Sequence, residues 1–479
     1  MRGLIFFMLM LCMSCAQPPY SGIDAPSGSR PATESEIVAY IDQRLEDEYY
    51  WLDEVNRKRT LFNRNTPWEH YLNHVLSKLT TNEDDGSYNS KGQRSYYSYI
   101  HEVTTTRAEQ TGFGIRLHYT ILIVDDNNRL GFVVESVYPG SPAAVAGVKR
   151  GDVITMIEGK FIDSSNYVGH FNNIQSSGVA TLNLTLKRRS DSGVEYTAAL
   201  ERGLYNETPI AHYDVIDIEG YDKRIGYLCY LGFESEYNDE LSDVLNYLAS
   251  EGVGELILDL RCNGGGALSS ALLLSSAIVP SSYEGQILCS IERNKKNVVS
   301  PQNSVFKLEN TGKLLNLERL TVICSDYSAS ASELVVMGLR GMDFPVTLIG
   351  ATTEGKNCGM DVTYKTIKGR NLEYAPITFM CFNAKGFGDW GEGIVPDVDL
   401  TSESNKYGVY DEYYPLPYVD WGDSRRDIAL AVAIADITGS SISQKEPTRV
   451  GANDDIAIAT TIARPVVGTR LYEEGVECY

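Results

Sequence analysis

LERLTVICSDYSASASELVVMGLRG, residues 317–341, passes from an apolar, β-branched run through a serine-rich turn into an amphipathic helix. Ser330 and Glu333 supply the S-x-x-E of a helix-capping box at that turn. The same plan recurs on either side. VGELILDLRCNGGG (253–266) is a buried strand entering a glycine-rich loop, followed by the apolar helix ALSSALLLSSAIV (267–279). FPVTLIGATTEGK (344–356) is the next strand and loop. Upstream, KRIGYLCYLGF (223–233) reads as a strand, and EYNDELSDVLNYLASEG (236–252) as a helix with Leu241, Val244, Leu245 and Leu248 on one face. Such alternation argues for an α/β domain whose functional residues lie beyond the carboxyl ends of its strands.

A hydroxyl at a strand-to-helix turn has an ordinary use as a cap. It is also where a nucleophile is presented, because the helix N-terminus favours developing negative charge. A nucleophilic Ser330 needs a base, and all six histidines lie between residues 70 and 212, before this region begins. The remaining candidate is a lysine, whose ordinary pKa of about 10.4 falls on burial. Lys356 is well placed. Its loop GATTEGK (350–356) also fits the GxxxxGK spacing of a phosphate loop, but Asn357 stands where a magnesium-binding Ser or Thr is required. The chain then continues CGMDVTYKTIKG (358–369) with no helical spacing, so no nucleotide site is expected.

From Thr104 the period changes. TGFGIRLHY (111–119) and ILIVDDNNRLGFVVESV (121–137) read as strands, and YPGSPAAVAGVKRGDVITMIEGK (138–160) as a turn, a short helix and a strand. These segments resemble a PDZ domain over residues 101–190. The resemblance makes Gly112, Phe113, Gly114 and Ile115 the loop whose backbone N–H groups cradle a terminal carboxylate, with a peptide added beside it as a strand.

LILDLRCNGGG (256–266), SASASE (328–333) and GATTEGK (350–356), in that order, resemble the carboxyl-terminal processing, or tail-specific, serine proteases. GEGIVPDVDL (391–400) resembles the segment closing their catalytic domain. The resemblance implies a multidomain α/β protein with a catalytic domain of crotonase/ClpP-like type over 206–437. It makes Ser330 the nucleophile and Lys356 the general base. It places the oxyanion hole on the backbone N–H of Ala331 with that of Gly265 or Gly266. No metal or organic cofactor is implied. Several members carry a Gln four residues after the Lys that helps to orient it. That position is Met360 here, with Asp361 and Glu354 as weak substitutes. Arg261 and Asn263 are expected to hold their loop rather than touch substrate.

The remaining segments set the context. MRGLIFFMLMLCMSCAQ (1–17) has one Arg before an apolar run that suits a signal peptide but is too short to span a bilayer. Its Ser14-Cys15 resembles a bacterial lipoprotein signal, with Cys15 lipidated, although Cys12 stands where Leu is usual. An ordinary secretory peptide is the alternative. Residues 16–33 read as a flexible tether and 34–100 as a helical module, with Ile37, Ile41, Leu45 and Tyr49 four apart. His70 and His74 have metal-ligand spacing but no third ligand nearby, so helix-surface histidines are expected. Cysteines 229, 262, 289, 324, 358, 381 and 478 form no C-x-x-C pair and are expected in the core. SRRDIALAVAIADITG (424–439) reads as a closing helix, and 438–479 as a polar extension with no role beyond packing. A formal net charge of −22 leaves no basic stripe for nucleic acid.

The expectation is therefore a lipid-anchored endopeptidase of the cell envelope, facing the periplasm or exterior. It would cleave protein or peptide substrates held through C-terminal or extended segments. A catalytically silent PDZ-bearing peptide receptor or scaffold is the main rival, to be told apart by indifference to Ser330→Ala. A Ser-Lys hydrolase of cell-wall amides is a second rival, disfavoured because S-x-x-K on one helix is absent.

Overall fold

The computed structural model describes residues 32–88, 94–103, 111–125, 127–175, 179–191, 193–309, 315–411, 413–442 and 457–461. At its centre a six-stranded sheet runs in the order Ile210–Ile216, Arg224–Tyr230, Val253–Asp259, Leu320–Cys324, Val346–Gly350, Val398–Asp399. The first pair is antiparallel and every later pair is parallel. Leu258, Val322 and Leu348 enter one core, beneath the helices Asn238–Ser250, Leu268–Ile278 and Ala331–Gly341. Ile257, Ile323 and Ile349 enter the other, under the helix Ile428–Thr438. Burial on both faces is why these strands are predominantly apolar rather than alternating.

The second sheet runs Val194–Glu201, Thr181–Arg188, Asp152–Ile157, Leu130–Val137, Ile115–Ile123, Ala457–Thr461. Phe113, Ile115, Phe132, Ile154, Phe171 and Leu184 fill its core. The expected boundary at 190 falls inside a hairpin, because Val194–Glu201 pairs with Thr181–Arg188 along eight residue pairs. Only Ala198 and Leu200 of that strand are buried, so its sequence carries little apolar signal. The C-terminal extension also contributes more than loose packing, since Ala457–Thr461 pairs with Ile115–Ile123.

The N-terminal helices Glu34–Glu48, Leu52–Lys58 and Trp68–Leu76 share one core with Cys358, Met360, Leu372, Tyr374 and Ile377. The strand Tyr99–Glu102 then pairs with Arg370–Ala375, across the expected boundary at 100. His74 Nε2 accepts the backbone N–H of Asn63 at 3.0 Å, a structural use for that histidine. The six cysteines from Cys229 to Cys381 are buried and free. Among the described residues no helix is long and apolar enough to cross a membrane. Cys15, the signal segment, the tether up to residue 31 and Cys478 lie outside the described residues.

Arginines dock the second sheet on the first. Arg116 Nη2 donates to the carbonyl of Cys262 at 2.9 Å, Arg189 Nη1 to that of Pro417 at 2.9 Å, and Arg150 to that of Val419. Leu416 packs between Leu122, Val133 and Val153.

Candidate active site

Three loops leave the carboxyl ends of the adjacent parallel strands Val253–Asp259, Leu320–Cys324 and Val346–Gly350, where open α/β sheets place ligands. In the first, buried Arg261 lies between two buried carboxylates. Its Nη2 donates to Asp259 Oδ2 at 2.6 Å and to Asp427 Oδ2 at 2.7 Å. Burial would lift the Asp427 carboxyl, yet Arg261 holds it below its ordinary range. Arg261→Leu would leave both acids buried and unpaired. The expected loss is roughly 3–5 kcal/mol of stability, read from urea unfolding. Asn263 braces the glycines, since its Nδ2 donates to the carbonyl of Tyr230 at 2.8 Å and its Oδ1 accepts the N–H of Gly265 at 2.9 Å. Both residues hold the loop.

Serines stitch the second loop onto the first. Ser325 Oγ donates to the carbonyl of Arg261 at 2.5 Å, Ser328 Oγ to that of Leu260 at 2.8 Å, and Ser332 Oγ to that of Asn263 at 2.9 Å. Ser330 makes no such bond among the described residues. It stands at the N-cap of the helix Ala331–Gly341 with φ 56° and ψ −111°, a conformation a non-glycine residue adopts only when its surroundings impose it. Gly265 presses against it. A Cβ there would lie 2.7 Å from Ser330 Cβ and 2.9 Å from the nitrogen of Ala331, so only glycine fits.

Glu333 joins the second loop to the third. Its Oε2 accepts the N–H of Ser330 at 2.8 Å and that of Lys356 at 2.9 Å. Its Oε1 accepts the Thr353 hydroxyl at 2.6 Å and the N–H of Gly355 at 2.7 Å. Burial pushes this carboxyl up to about 7, and the four donors oppose that shift. Sequence reading saw Glu333 as a cap and missed its second duty, because S-x-x-E carries no sign of a distant loop.

Lys356 is buried, and its Nζ lies 5.0 Å from the ring centroid of Tyr97. Tyr97 is itself buried and donates its hydroxyl to Glu354 at 3.2 Å. Burial and the nearby Glu354 charge raise its phenol above the ordinary range. Asp85 fixes its backbone, accepting the N–H of Tyr97 at 3.0 Å and that of Ser98 at 2.8 Å. Asp361 is bound elsewhere, to Arg293 Nη2 at 3.0 Å, and Met360 is packed among the N-terminal helices.

The structure thus brings Ser330, Ala331 and Gly265 into contact and ties the Lys356 loop to Ser330 through Glu333. Gly266 lies on the backbone of Phe233, beside them in chain. Of the two candidate glycines, Gly265 has its N–H committed to Asn263. Gly112 pairs with Gly203 in a small two-stranded sheet, and Ile115 opens the strand Ile115–Ile123 of the second sheet. Phe113 and Ile115 are core residues, and the Phe113 carbonyl accepts the N–H of Ala143 at 3.0 Å.

Residues 224–400 match peptidase family S41. Residues 133–168 match the PDZ domain. A Staphylococcus aureus protein named "Probable CtpA-like serine protease" is 26% identical over 280 residues, covering 57% of this chain and 51% of that protein. A Bartonella bacilliformis protein named "Carboxy-terminal-processing protease" is 27% identical over 319 residues, covering 64% of this chain and 65% of the relative. The chain spans about half the length of the first of these. The crystal structure of an S41 protease homologue from Bacteroides fragilis superposes with a TM-score of 0.65 at 22% identity, covering 84% of this chain and 97% of the other. That likeness bears on the fold.

Proposed function

We propose that this chain is a serine endopeptidase of the tail-specific type. The observation that carries the reading is Ser330. Among the serines at 325, 328, 330 and 332 it alone has a left-handed backbone and a hydroxyl not donated to a carbonyl, and Glu333 ties it to the Lys356 loop.

In the proposed reaction Ser330 Oγ attacks a peptide carbonyl while Lys356 Nζ takes its proton. The proton passes to the leaving amine, and an acyl-enzyme forms on Ser330. Lys356 then takes a proton from the water that releases the acyl group. Developing oxyanion charge is met by the N–H of Ala331, the first residue of its helix, and by that of Gly266. Tyr97 supplies the orientation that Gln gives Lys in relatives, its ring face attracting the ammonium formed in the first step.

The PDZ domain receives an extended or C-terminal substrate segment as a strand beside Ile115–Ile123, with a terminal carboxylate in the Gly112–Ile115 loop. The catalytic domain is of crotonase/ClpP-like type, and the N-terminal helices form a module sharing its core. Cys15 carries a lipid that holds the chain at the cell envelope.

The test incubates the chain from Gln17 onward with an unfolded protein and with peptides of apolar C-terminus, followed by mass spectrometry. Cutting by the parent, and none by Ser330→Ala, is the expected result. Binding without cutting by the parent would return the chain to the peptide-receptor reading.

A further inference from the structure

The strand Ile115–Ile123 has a neighbour on each side. One is Leu130–Val137, the next strand of its own domain. The other is Ala457–Thr461, from the far end of the chain. Without it, Ile115–Ile123 would be an edge strand, with a row of backbone N–H and C=O groups open to any extended segment. A PDZ domain takes its peptide on that edge.

Direction and place both match such a ligand. Ala457 pairs with Ile123, Ile458 with Leu122, Thr460 with Ile121 and Thr461 with Thr120, all antiparallel. The segment therefore runs along the strand toward the Gly112–Ile115 loop, as a bound peptide must for its later residues to approach that loop. The helix Tyr167–Gln175 flanks the strand, with Tyr119 and Phe171 ring centroids 6.2 Å apart. The sequence suits strand addition as well, since IAIATTIA (456–463) is uncharged and rich in β-branched residues, whereas Asp454 and Asp455 precede it.

We propose that residues 457–461 are a built-in occupant of the PDZ peptide edge, an extended uncharged segment that competes in cis with substrate. The inference rests on the strand-addition reading above. The occupied strand also faces the reaction centre: His118 and Tyr119 lie 4.9 and 6.1 Å, centroid to centroid, from Tyr327, three residues before Ser330. Exchange of the tail for a substrate segment thus takes place against the loop that carries the nucleophile.

The experiment uses Ser330→Ala chains, so that nothing is cut, and two fluorescent probes. One is NDDIAIATTIA, copied from residues 453–463, and the other is an unrelated extended peptide with an apolar C-terminus. The full chain is compared with one ending at Ile442 and with the full-length double variant Ile458→Pro/Thr460→Pro, which keeps the tail but weakens its pairing. A linked weak ligand near millimolar effective concentration predicts that both altered chains bind the apolar peptide about tenfold more tightly than the parent. They should also bind NDDIAIATTIA, and each peptide should displace the other. Equal affinity of all three chains for the apolar peptide would overturn the inference. So would altered chains that bind the apolar peptide but not NDDIAIATTIA, which would leave the strand-addition reading standing. Altered chains that keep the parent's circular dichroism and bind neither peptide would overturn both.

Discussion

On the proposed mechanism Lys356→Met is expected to lower kcat for peptide cleavage roughly a thousandfold with KM little changed, the scale of losing a positioned general base. Met keeps the length and the apolar stem of Lys and removes only the amine. The side chain is buried against Tyr97, so the substitution leaves the packing filled. What remains is Ser330 at its helix N-terminus and the backbone donors around it, which bind substrate as before but cannot take the hydroxyl proton. The neighbouring Tyr97 separates two ways of supporting Lys356. Tyr97→Phe keeps the ring face beneath Nζ and loses the bond to Glu354, and a change below about fivefold is expected. Tyr97→Ala removes the face, and kcat falls by about one to two orders of magnitude, the cost of a misplaced catalytic group. Steady-state kinetics of the three variants give the comparison. A Tyr97→Ala enzyme as fast as the parent would remove Tyr97 from the account.

Glu333→Gln should lower kcat about a hundredfold without a matching loss of stability. Above about pH 7, where the carboxyl is ionised, both oxygens accept, Oε1 from Thr353 and Gly355 and Oε2 from Ser330 and Lys356, and the comparison of rates is made there. An amide has one accepting oxygen. With its oxygen at the Oε2 position it keeps Ser330 and Lys356 but sets its NH2 against the N–H of Gly355, next to Lys356. Turned the other way it sets its NH2 against the N–H groups of Ser330 and Lys356, and in both orientations the Lys356 loop is displaced. Shifts of that kind in reacting groups cost about two orders of magnitude in rate. Stability follows a different rule. The folded carboxyl keeps its proton to about pH 7, whereas in the unfolded chain it releases it near its ordinary value of 4.5. Its contribution to stability is therefore highest below 4.5, falls as pH rises toward 7 and is level beyond. The parent should lose stability relative to Glu333→Gln between pH 4.5 and 7, as urea midpoints of the two proteins at several pH values would show. Equal slopes for parent and variant would contradict the assignment.

The α/β centre was legible because Val253–Asp259, Leu320–Cys324 and Val346–Gly350 are buried on both faces and so cannot hide among polar residues. Ser330 and Lys356 were proposed from the sequence for a chemical reason: no histidine follows residue 212, which left lysine as the candidate base. The supports of the site were not legible. Tyr97 meets Lys356 only because Tyr99–Glu102 pairs with Arg370–Ala375, a contact between distant parts of the chain that no local pattern announces. Glu333 had a sufficient local explanation as a cap, and that explanation concealed the link to Gly355 and Lys356. Val194–Glu201 was passed over because it buries one face with Ala198 and Leu200 and shows charged residues elsewhere. Ala457–Thr461 is short and set in a polar tail, so its pairing comes from the edge it completes.

The most direct test of the central claim is to catch the acyl-enzyme. The parent is mixed with an activated peptide ester, quenched in acid within milliseconds and digested, and the fragments are weighed. The account predicts one acyl group on the fragment containing Ser330, released on longer incubation and absent from Ser330→Ala. Hydrolysis that proceeds with no adduct, or with the adduct on another residue, would contradict it.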